Sequence, residues 1–344
     1  MIKQFDTLVF CGRFQPFHIG HQSVIDQALL KAHEVVIVIG SSFQARSTKN
    51  PFTFSERSAM IRAVYTQDNV KIVGVMDYPY DDNAWVSAVQ SAVDAVKLGS
   101  KTGLVGHSKD SSSYYLKIFP QWSDHVEVAN MGNINATDIR KAMFEFGIFR
   151  GIAEFYSDTI PEEVNYVIDD IVREWSHESW ELLVQEYAKI KAYKNAWKDA
   201  PDVPLVFVTT DAVITQGGYV LLIKRRRFPF KDCWALPGGY LAKGETIVDN
   251  MIKELREETC VKIPAKVLKG SIKDVKIFDH PERDPRGRTI THGFHVDLGF
   301  PIEGLPKVKG ADDAKEAKWV LLSKITSEMM AFDHYAIITS FIRI

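Results

Sequence analysis

Thr7-Leu8-Val9-Phe10-Cys11-Gly12-Arg13-Phe14-Gln15-Pro16-Phe17-His18-Ile19-Gly20-His21 runs from an apolar stretch through a glycine turn to two histidines three residues apart. The apolar part, Thr7–Cys11, has the composition of a strand buried on both faces. Gly12 follows it directly, and Gly20 lets the backbone come close to a ligand where a helix begins. Free amides at a helix start attract phosphate. Arg13 adds a cation at the strand end, and His18 and His21 can donate hydrogen bonds to phosphate oxygens whose charge grows during a displacement. The competing reading is a strand–loop–helix crossing that merely contains two histidines. Zinc fits less well, because no Cys or His cluster completes the ligand set.

Outward from this stretch, short apolar runs alternate with amphipathic ones. Thr7–Cys11, Val35–Ile39, Lys71–Val75, Gly103–Gly106 and Val126–Ala129 read as parallel strands, with helices at about 21–32, 54–66, 84–98 and 111–118 between them. Thr53 and Glu56 stand at capping-box spacing. Such alternation predicts an α/β, doubly wound parallel sheet with its ligands at the carboxyl ends of the strands. Helical patterns continue at 137–146, 161–175 and 178–198. Asp199-Ala200-Pro201-Asp202-Val203-Pro204 then breaks the pattern, because two prolines this close cannot continue a helix. The expected division is therefore a domain over 1–200 and a second over 204–344.

The second half reads differently. Leu205–Ile214 and Tyr219–Ile223 are strand-like around a Gln216-Gly217-Gly218 turn, and one strong helix covers about 246–259. Ala265–Ile272, His292–Leu298 and Ala317–Leu321 read as further strands, followed by a last helix at 333–342. The expectation is a mixed α+β or α/β sandwich rather than a second doubly wound unit. On the strong helix, Glu254, Glu257 and Glu258 fall at i, i+3 and i+4, which puts three carboxylates on one face. They repel one another unless neutralised, and a hard divalent cation such as Mg²⁺ or Mn²⁺ takes carboxylate oxygens this way while bridging pyrophosphate oxygens. A solvated acidic face with Lys253 and Arg256 as partners is the alternative.

The 344 residues are 46% hydrophobic and 25% charged, with a formal net charge of −2. That balance argues against a broad nucleic-acid surface. Cys11, Cys233 and Cys260 have no metal-site or redox spacing, which fits a reducing compartment. No signal-peptide pattern opens the chain, and no apolar run approaches the ~20 residues of a membrane span. The expected location is cytoplasmic, with no membrane partner; a homo-oligomer is left open.

Gly12–His21 resembles the H-x-G-H nucleotidyltransferases, in particular the archaeal-type nicotinamide mononucleotide (NMN) adenylyltransferases. Asn50-Pro51-Phe52-Thr53-Phe54-Ser55-Glu56-Arg57 resembles that branch's N-P-F-T-x-x-E-R segment. Ile134-Asn135-Ala136-Thr137-Asp138-Ile139-Arg140 resembles its I-S-G-T-x-x-R segment, with Asn135 and Ala136 in place of Ser and Gly. Gly106-His107-Ser108-Lys109-Asp110 looks like the adenosine-side loop. The resemblance implies a site for ATP and NMN formed by Gly12, Arg13, Phe14, Gly20, Gly106, Lys109, Asp110, Asn135, Thr137 and Arg140. His18, His21 and Arg140 would act on the triphosphate. Trp85 would either stack on nicotinamide or anchor its own helix in the core.

Leu236-Pro237-Gly238-Gly239, Glu245 and the 254–258 carboxylates match the spacing of the Nudix box, with Lys253 replacing its Arg and Cys260 its last Gly. Arg283-Asp284-Pro285-Arg286-Gly287-Arg288 resembles a loop of Nudix ADP-ribose pyrophosphatases. This implies metal ligation by Glu254, Glu257 and Glu258, with catalysis resting on Glu254 and Glu258. ADP-ribose would be held by Gly239, Arg283, Arg286 and Arg288, and a divalent metal would serve both sites. Asp312-Asp313 and Glu316 lie where related hydrolases often carry a further acid. Lys offers a point charge where Arg offers a fork, and Cys260 is not expected to relax into a left-handed helix end as Gly does.

The whole chain then reads as a bifunctional enzyme that makes NAD from ATP and NMN and cleaves ADP-ribose to AMP and ribose 5-phosphate. The alternative is an adenylyltransferase joined to an ADP-ribose-sensing domain that does not hydrolyse.

Overall fold

The computed structural model describes residues 3–107, 118–122, 124–129, 134–148, 152, 158–175, 177–196, 205–301 and 304–343. Contacts divide the chain into two compact units, Met1–Gln185 and Glu186–Ile344. The break expected from the prolines, 199–204, lies outside the described residues, as do 111–117 of the helix expected at 111–118, Lys109 and Asp110.

In the first unit the strands are β1 (Phe5–Gly12), β2 (Ala32–Ile39), β3 (Val70–Gly74), β4 (Thr102–Gly106) and β5 (His125–Glu127). They form one all-parallel sheet in the order β3-β2-β1-β4-β5. Both faces are covered. Helices α1 (Ile19–Lys31), α2 (Phe54–Val64), α4 (Ala136–Phe146) and α5 (Glu162–Glu174) contribute to the apolar cluster around Leu8, Ile37 and Val105. Helix α3 (Asp82–Asp94) joins Val9, Val38 and Leu104 in a second cluster. The chain leaves β1 towards β2 on one side, while β4 lies on the other. A ligand crevice therefore forms at the carboxyl ends of β1 and β4, where Gly12 and Gly106 stand.

One buried cation holds that end of the sheet. Arg57 is 1% exposed. Its guanidinium donates to the carbonyls of Arg13 (2.7 Å), Gly40 (2.8 Å), Ser41 (3.0 Å) and Thr53 (3.1 Å). Burial pulls its pKa down to about 10, so it stays charged near neutrality. Arg57→Met leaves these buried carbonyls without donors and is expected to destabilise the first unit by about 3 kcal/mol. Urea titration followed by circular dichroism should show the loss as unfolding at lower denaturant.

Helix α6 (His177–Ala196) spans the division. In the second unit, β6 (Phe207–Gln216) and β7 (Tyr219–Arg225) form a hairpin whose two-residue loop, Gly217-Gly218, has φ of 54° and 81°. Glycine takes those angles without strain. The sheet adds β8 (Trp234–Ala235), β9 (Gly238–Tyr240), β10 (Ile272–Phe278), β11 (Thr289–Asp297) and β12 (Ala314–Leu321). Its path is β10-β11-β6-β7-β12; only β11–β6 is parallel, and β8 and β9 pair with β7 and β6. Met251, Ile252 and Leu255 seat α7 (Ile247–Thr259) on Ala212, Leu221 and Phe294. The segment expected as a strand over Ala265–Ile272 is instead helix α8 (Ala265–Gly270), and the strand begins only at Ile272. Pro264 stands at the N-cap of that helix with φ −57°, and the strand-like composition after it concealed the helix start. Helix α9 (His334–Phe341) closes the unit.

Among the described residues, no helix is long and apolar enough to cross a membrane.

Candidate active sites

At the β1–β4 crevice the separate motifs of the first unit meet. A cavity of about 290 Å³ is lined by Gly12, Arg13, His18, His21, Thr137 and Arg140, with Phe14, Gly20, His107 and Asn135 also on its wall. His18 caps α1, and its backbone N–H donates to His21 Nδ1 at 3.3 Å; the two rings stack with centroids 3.7 Å apart. Gly20 makes room for this pair, because a Cβ there would lie 3.0 Å from the His18 ring. Phe14 takes φ 54° and is buried, its ring 4.7 Å from that of His21. It supports the histidine from below.

Arg140 reaches the same cavity from α4. It is 8% exposed, and donates to Gln15 O at 2.7 Å and to Thr137 Oγ1 at 3.3 Å. Burial, and then Arg13, lower its pKa to about 10, which leaves it cationic at neutral pH. Asn135 caps α4, and its amide is held by Asp138, accepting from the backbone N–H at 2.9 Å and donating to the carboxylate at 2.6 Å. Trp85 packs on Phe119 at 5.8 Å in the α3 cluster and does not line the cavity. His107 lines it and was missed as a site residue; its Nδ1 lies 2.7 Å from Val128 O.

The second unit has a polar pocket of about 120 Å³. Glu258, Gly238, Gly239 and Asp313 line it, opposite Arg225, Arg283 and Arg286. Glu258 is 5% exposed and accepts from the Gly238 N–H at 2.9 Å. Burial, and next the repulsion from Glu254, push its carboxyl up to about 8. Glu254 is raised as well, first by burial. Gly239 keeps its place open, since a Cβ there would lie 2.5 Å from Glu254 Oε2. Lys253 sits 3.3 Å from Glu245 and 4.0 Å from Glu254. Glu257 is on the exposed side of α7. Among the described residues no three acidic, histidine or cysteine side chains stand together at metal-ligand spacing. The donor chemistry nonetheless fits a hard divalent cation, because burial and mutual repulsion oppose the ionisation of Glu254 and Glu258 and such a cation would relieve both.

The arginine loop is arranged otherwise than its spacing suggested. Arg283 is buried, and its guanidinium donates twice to Asp333 at 2.9 Å and lies 3.7 Å from Asp211. It lines the pocket with its guanidinium engaged by these carboxylates. Arg288 donates to Asp279 O and is not in the pocket lining. Arg286 is held by Asp284 at 2.7 Å and does line the pocket. Asp211, Arg225 and His334 also line it and were not anticipated. His334 Nδ1 accepts from the Leu236 N–H at 2.8 Å, and burial lowers its pKa to about 3, so the imidazole is neutral. Of the candidate acids, Asp313 just before β12 is in the lining, and Asp312 and Glu316, the latter within β12, are not.

Cys260 also departs from expectation. It takes the left-handed conformation at the end of α7, φ 52° and ψ 20°. A residue with a Cβ is strained there. Cys260→Gly is expected to stabilise the second unit by about 1 kcal/mol, less glycine's extra freedom when unfolded. Thermal unfolding should show it as a rise of a few degrees.

Fold and sites together define a nucleotidyltransferase-type unit followed by a Nudix unit. Residues 9–102 match the cytidylyltransferase-like family and residues 206–341 the Nudix domain family. The crystal structure of a bifunctional NMN adenylyltransferase/ADP-ribose pyrophosphatase from Francisella tularensis is 36% identical. It covers 98% of each chain with a TM-score of 0.88. A second such structure from that organism, at 34% identity, 98% coverage of each chain and TM-score 0.85, holds AMP and a Mn ion. A nicotinamide/nicotinic acid mononucleotide adenylyltransferase of Acinetobacter baylyi is 44% identical over 41% of this chain and 77% of its own. An ADP-ribose pyrophosphatase of Methanocaldococcus jannaschii is 39% identical over 40% of this chain and 73% of its own. The chain belongs to the family of bifunctional NMN adenylyltransferase/ADP-ribose pyrophosphatases.

Proposed function

We propose that the first unit transfers AMP from ATP to NMN, giving NAD and pyrophosphate, and that the second hydrolyses ADP-ribose to AMP and ribose 5-phosphate. The observation that carries the first activity is the meeting of His18, His21 and Arg140 in one crevice from segments over a hundred residues apart. In-line attack of the NMN phosphate on the α-phosphate of ATP needs no protein nucleophile; positioning and charge stabilisation suffice. Arg140 and the two histidines would bind the triphosphate and stabilise the departing pyrophosphate, with Arg13 at the rim.

In the second unit, Glu254 and Glu258, with Glu257 beside them, would hold the divalent cation. Mg²⁺ or Mn²⁺ would there polarise the diphosphate and lower the pKa of attacking water. Arg286 stands opposite, fixed by Asp284 for contact with the diphosphate. Asp313 is the acid available within the pocket. A divalent cation would likewise accompany ATP in the first unit.

Product analysis by anion-exchange chromatography tests both halves. ATP with NMN should yield NAD, and ADP-ribose with Mg²⁺ should yield AMP. Failure to form NAD overturns the first assignment. No AMP above the no-enzyme control leaves the sensing domain as the better reading of the second.

A further inference from the structure

Where the chain enters the acidic pocket of the second unit, one backbone N–H has a side chain for its partner. From β8 the chain passes through Leu236 and Pro237 to Gly238, the first residue of β9. Trp234 in β8 forms a parallel bridge with Met330, and its carbonyl accepts from the Ala331 N–H at 2.7 Å. A parallel pair that continued would give the Leu236 N–H to the Ala331 carbonyl. It does not continue, because that carbonyl accepts from the His334 N–H at 3.2 Å as α9 begins. The Leu236 N–H donates instead to His334 Nδ1 at 2.8 Å. The imidazole adds one rung to the ladder after the backbone has turned away.

That rung bears on the carboxylates. Pro237 has no N–H, so Leu236 carries the last backbone donor before Gly238. The Gly238 N–H is the donor that holds Glu258 Oε2 at 2.9 Å. Pro237 O accepts from the Ala212 N–H in β6 at 2.9 Å. Gly238 itself fits closely, because a Cβ there would strike the Thr210 carbonyl and lie 2.8 Å from Asp211 Oδ1. The direction of the Gly238 N–H is therefore set by β6 and by His334.

His334 is fixed in its turn. It is buried, and its imidazole is neutral. With Nδ1 accepting, the ring proton is on Nε2, which faces Asp211 Oδ1 at 3.8 Å. Asp211 accepts from Thr291 Oγ1 at 2.7 Å. Asp333, the residue before His334, takes both bonds of the Arg283 fork at 2.9 Å, which secures the start of α9.

We propose that His334 is a positioning residue for the metal centre: through Leu236 it aims the Gly238 N–H that orients Glu258 towards the divalent cation. The inference rests on the reading of Glu258 as a cation ligand. Groups that orient a metal ligand govern metal affinity by about ten- to a hundredfold. His334 acts one step further out, so the lower end of that range is expected.

Three substitutions in the full chain separate the acceptor from the bulk of the ring. His334→Asn keeps a carbonyl oxygen where Nδ1 stands, His334→Phe fills the space without an acceptor, and His334→Gln carries its polar atoms further out. Titration with Mn²⁺, followed by the electron paramagnetic resonance of the free ion, reads the binding that is lost in Glu258→Gln. His334→Asn should bind within about threefold of wild type, and His334→Phe and His334→Gln about tenfold more weakly. AMP release should follow suit. In the two weakened variants the Mg²⁺ concentration giving half the maximal rate should rise about tenfold, with KM for ADP-ribose at saturating Mg²⁺ within about twofold. If His334→Phe does not fold, the contrast between His334→Asn and His334→Gln decides. Wild-type Mn²⁺ affinity in every folded variant overturns the inference. Equal weakening in all of them does so too, since it makes His334 a packing residue alone. If wild type binds Mn²⁺ through Glu258 but releases no AMP, the hydrolase reading fails and the binding comparison still decides the role of His334.

Discussion

Glu258→Gln should lower ADP-ribose hydrolysis by at least about a hundredfold and leave NAD formation at the wild-type rate. Glutamine keeps the size of the side chain and can still accept from the Gly238 N–H, but it cannot supply an anionic ligand to a cation. Glu258 is the buried member of the carboxylate set, 5% exposed and pushed up to about 8 by burial. A companion variant acts without touching a carboxylate: Gly239→Ala places a methyl group 2.5 Å from Glu254 Oε2 and must displace it. Hydrolysis should fall there too. Both are read by AMP release with Mg²⁺ in excess. Wild-type rates in Glu258→Gln would remove that residue from the reaction.

The same carboxyl makes a prediction about pH. Its folded pKa, about 8, exceeds the unfolded value near 4.3. As pH rises, the unfolded chain releases this proton first, so stability present below about pH 4 is progressively lost up to about pH 8. Glutamine cannot ionise and keeps it. Without metal, Glu258→Gln should therefore unfold at a higher temperature than wild type at pH 8, and the difference should shrink towards pH 4. Glu186, raised to about 7 by burial, and Asp211, also raised by burial, push in the same direction. The variant flattens only part of the slope. Added Mg²⁺ should stabilise wild type more than the variant.

What was legible in the sequence was what depends on neighbours in the chain. The parallel alternation, the His18–Gly20–His21 turn and the α7 carboxylates are local patterns with a fixed period, and spacing alone places their residues on one face or at one helix start. Arg283 shows where this stops. Three arginines in six residues read as a phosphate loop, yet Arg283 is claimed by Asp333, fifty residues later. Asp211 and His334 converge on the pocket only because β6 and α9 close round it, and neither carries a local signal. Cys260 was read from propensity, which disfavours a left-handed cysteine; the packed end of α7 imposes that conformation.

The largest effect in the first unit should come from Arg140→Ala, with a fall in kcat/KM for ATP of about a hundred- to a thousandfold and ADP-ribose hydrolysis unchanged. Arg140 is cationic in a cavity where phosphate charge must be gathered, and one of its donors is already fixed on Gln15 O at 2.7 Å. That bond aims the guanidinium and joins α4 to the turn bearing His18. Arg140→Lys separates the two duties. A lysine supplies the charge but not the fork, so if charge alone matters it should recover most of the loss. If orientation through Gln15 matters as well, it should recover little, and KM for ATP should rise along with the fall in kcat. His21→Ala tests the proposed second contact to the triphosphate, and the His21 ring is also stacked on His18 with centroids 3.7 Å apart. Its effect should not add to that of Arg140→Ala, because groups that stabilise one transition state act as a unit. Wild-type kcat/KM in Arg140→Ala would place the triphosphate elsewhere in the crevice.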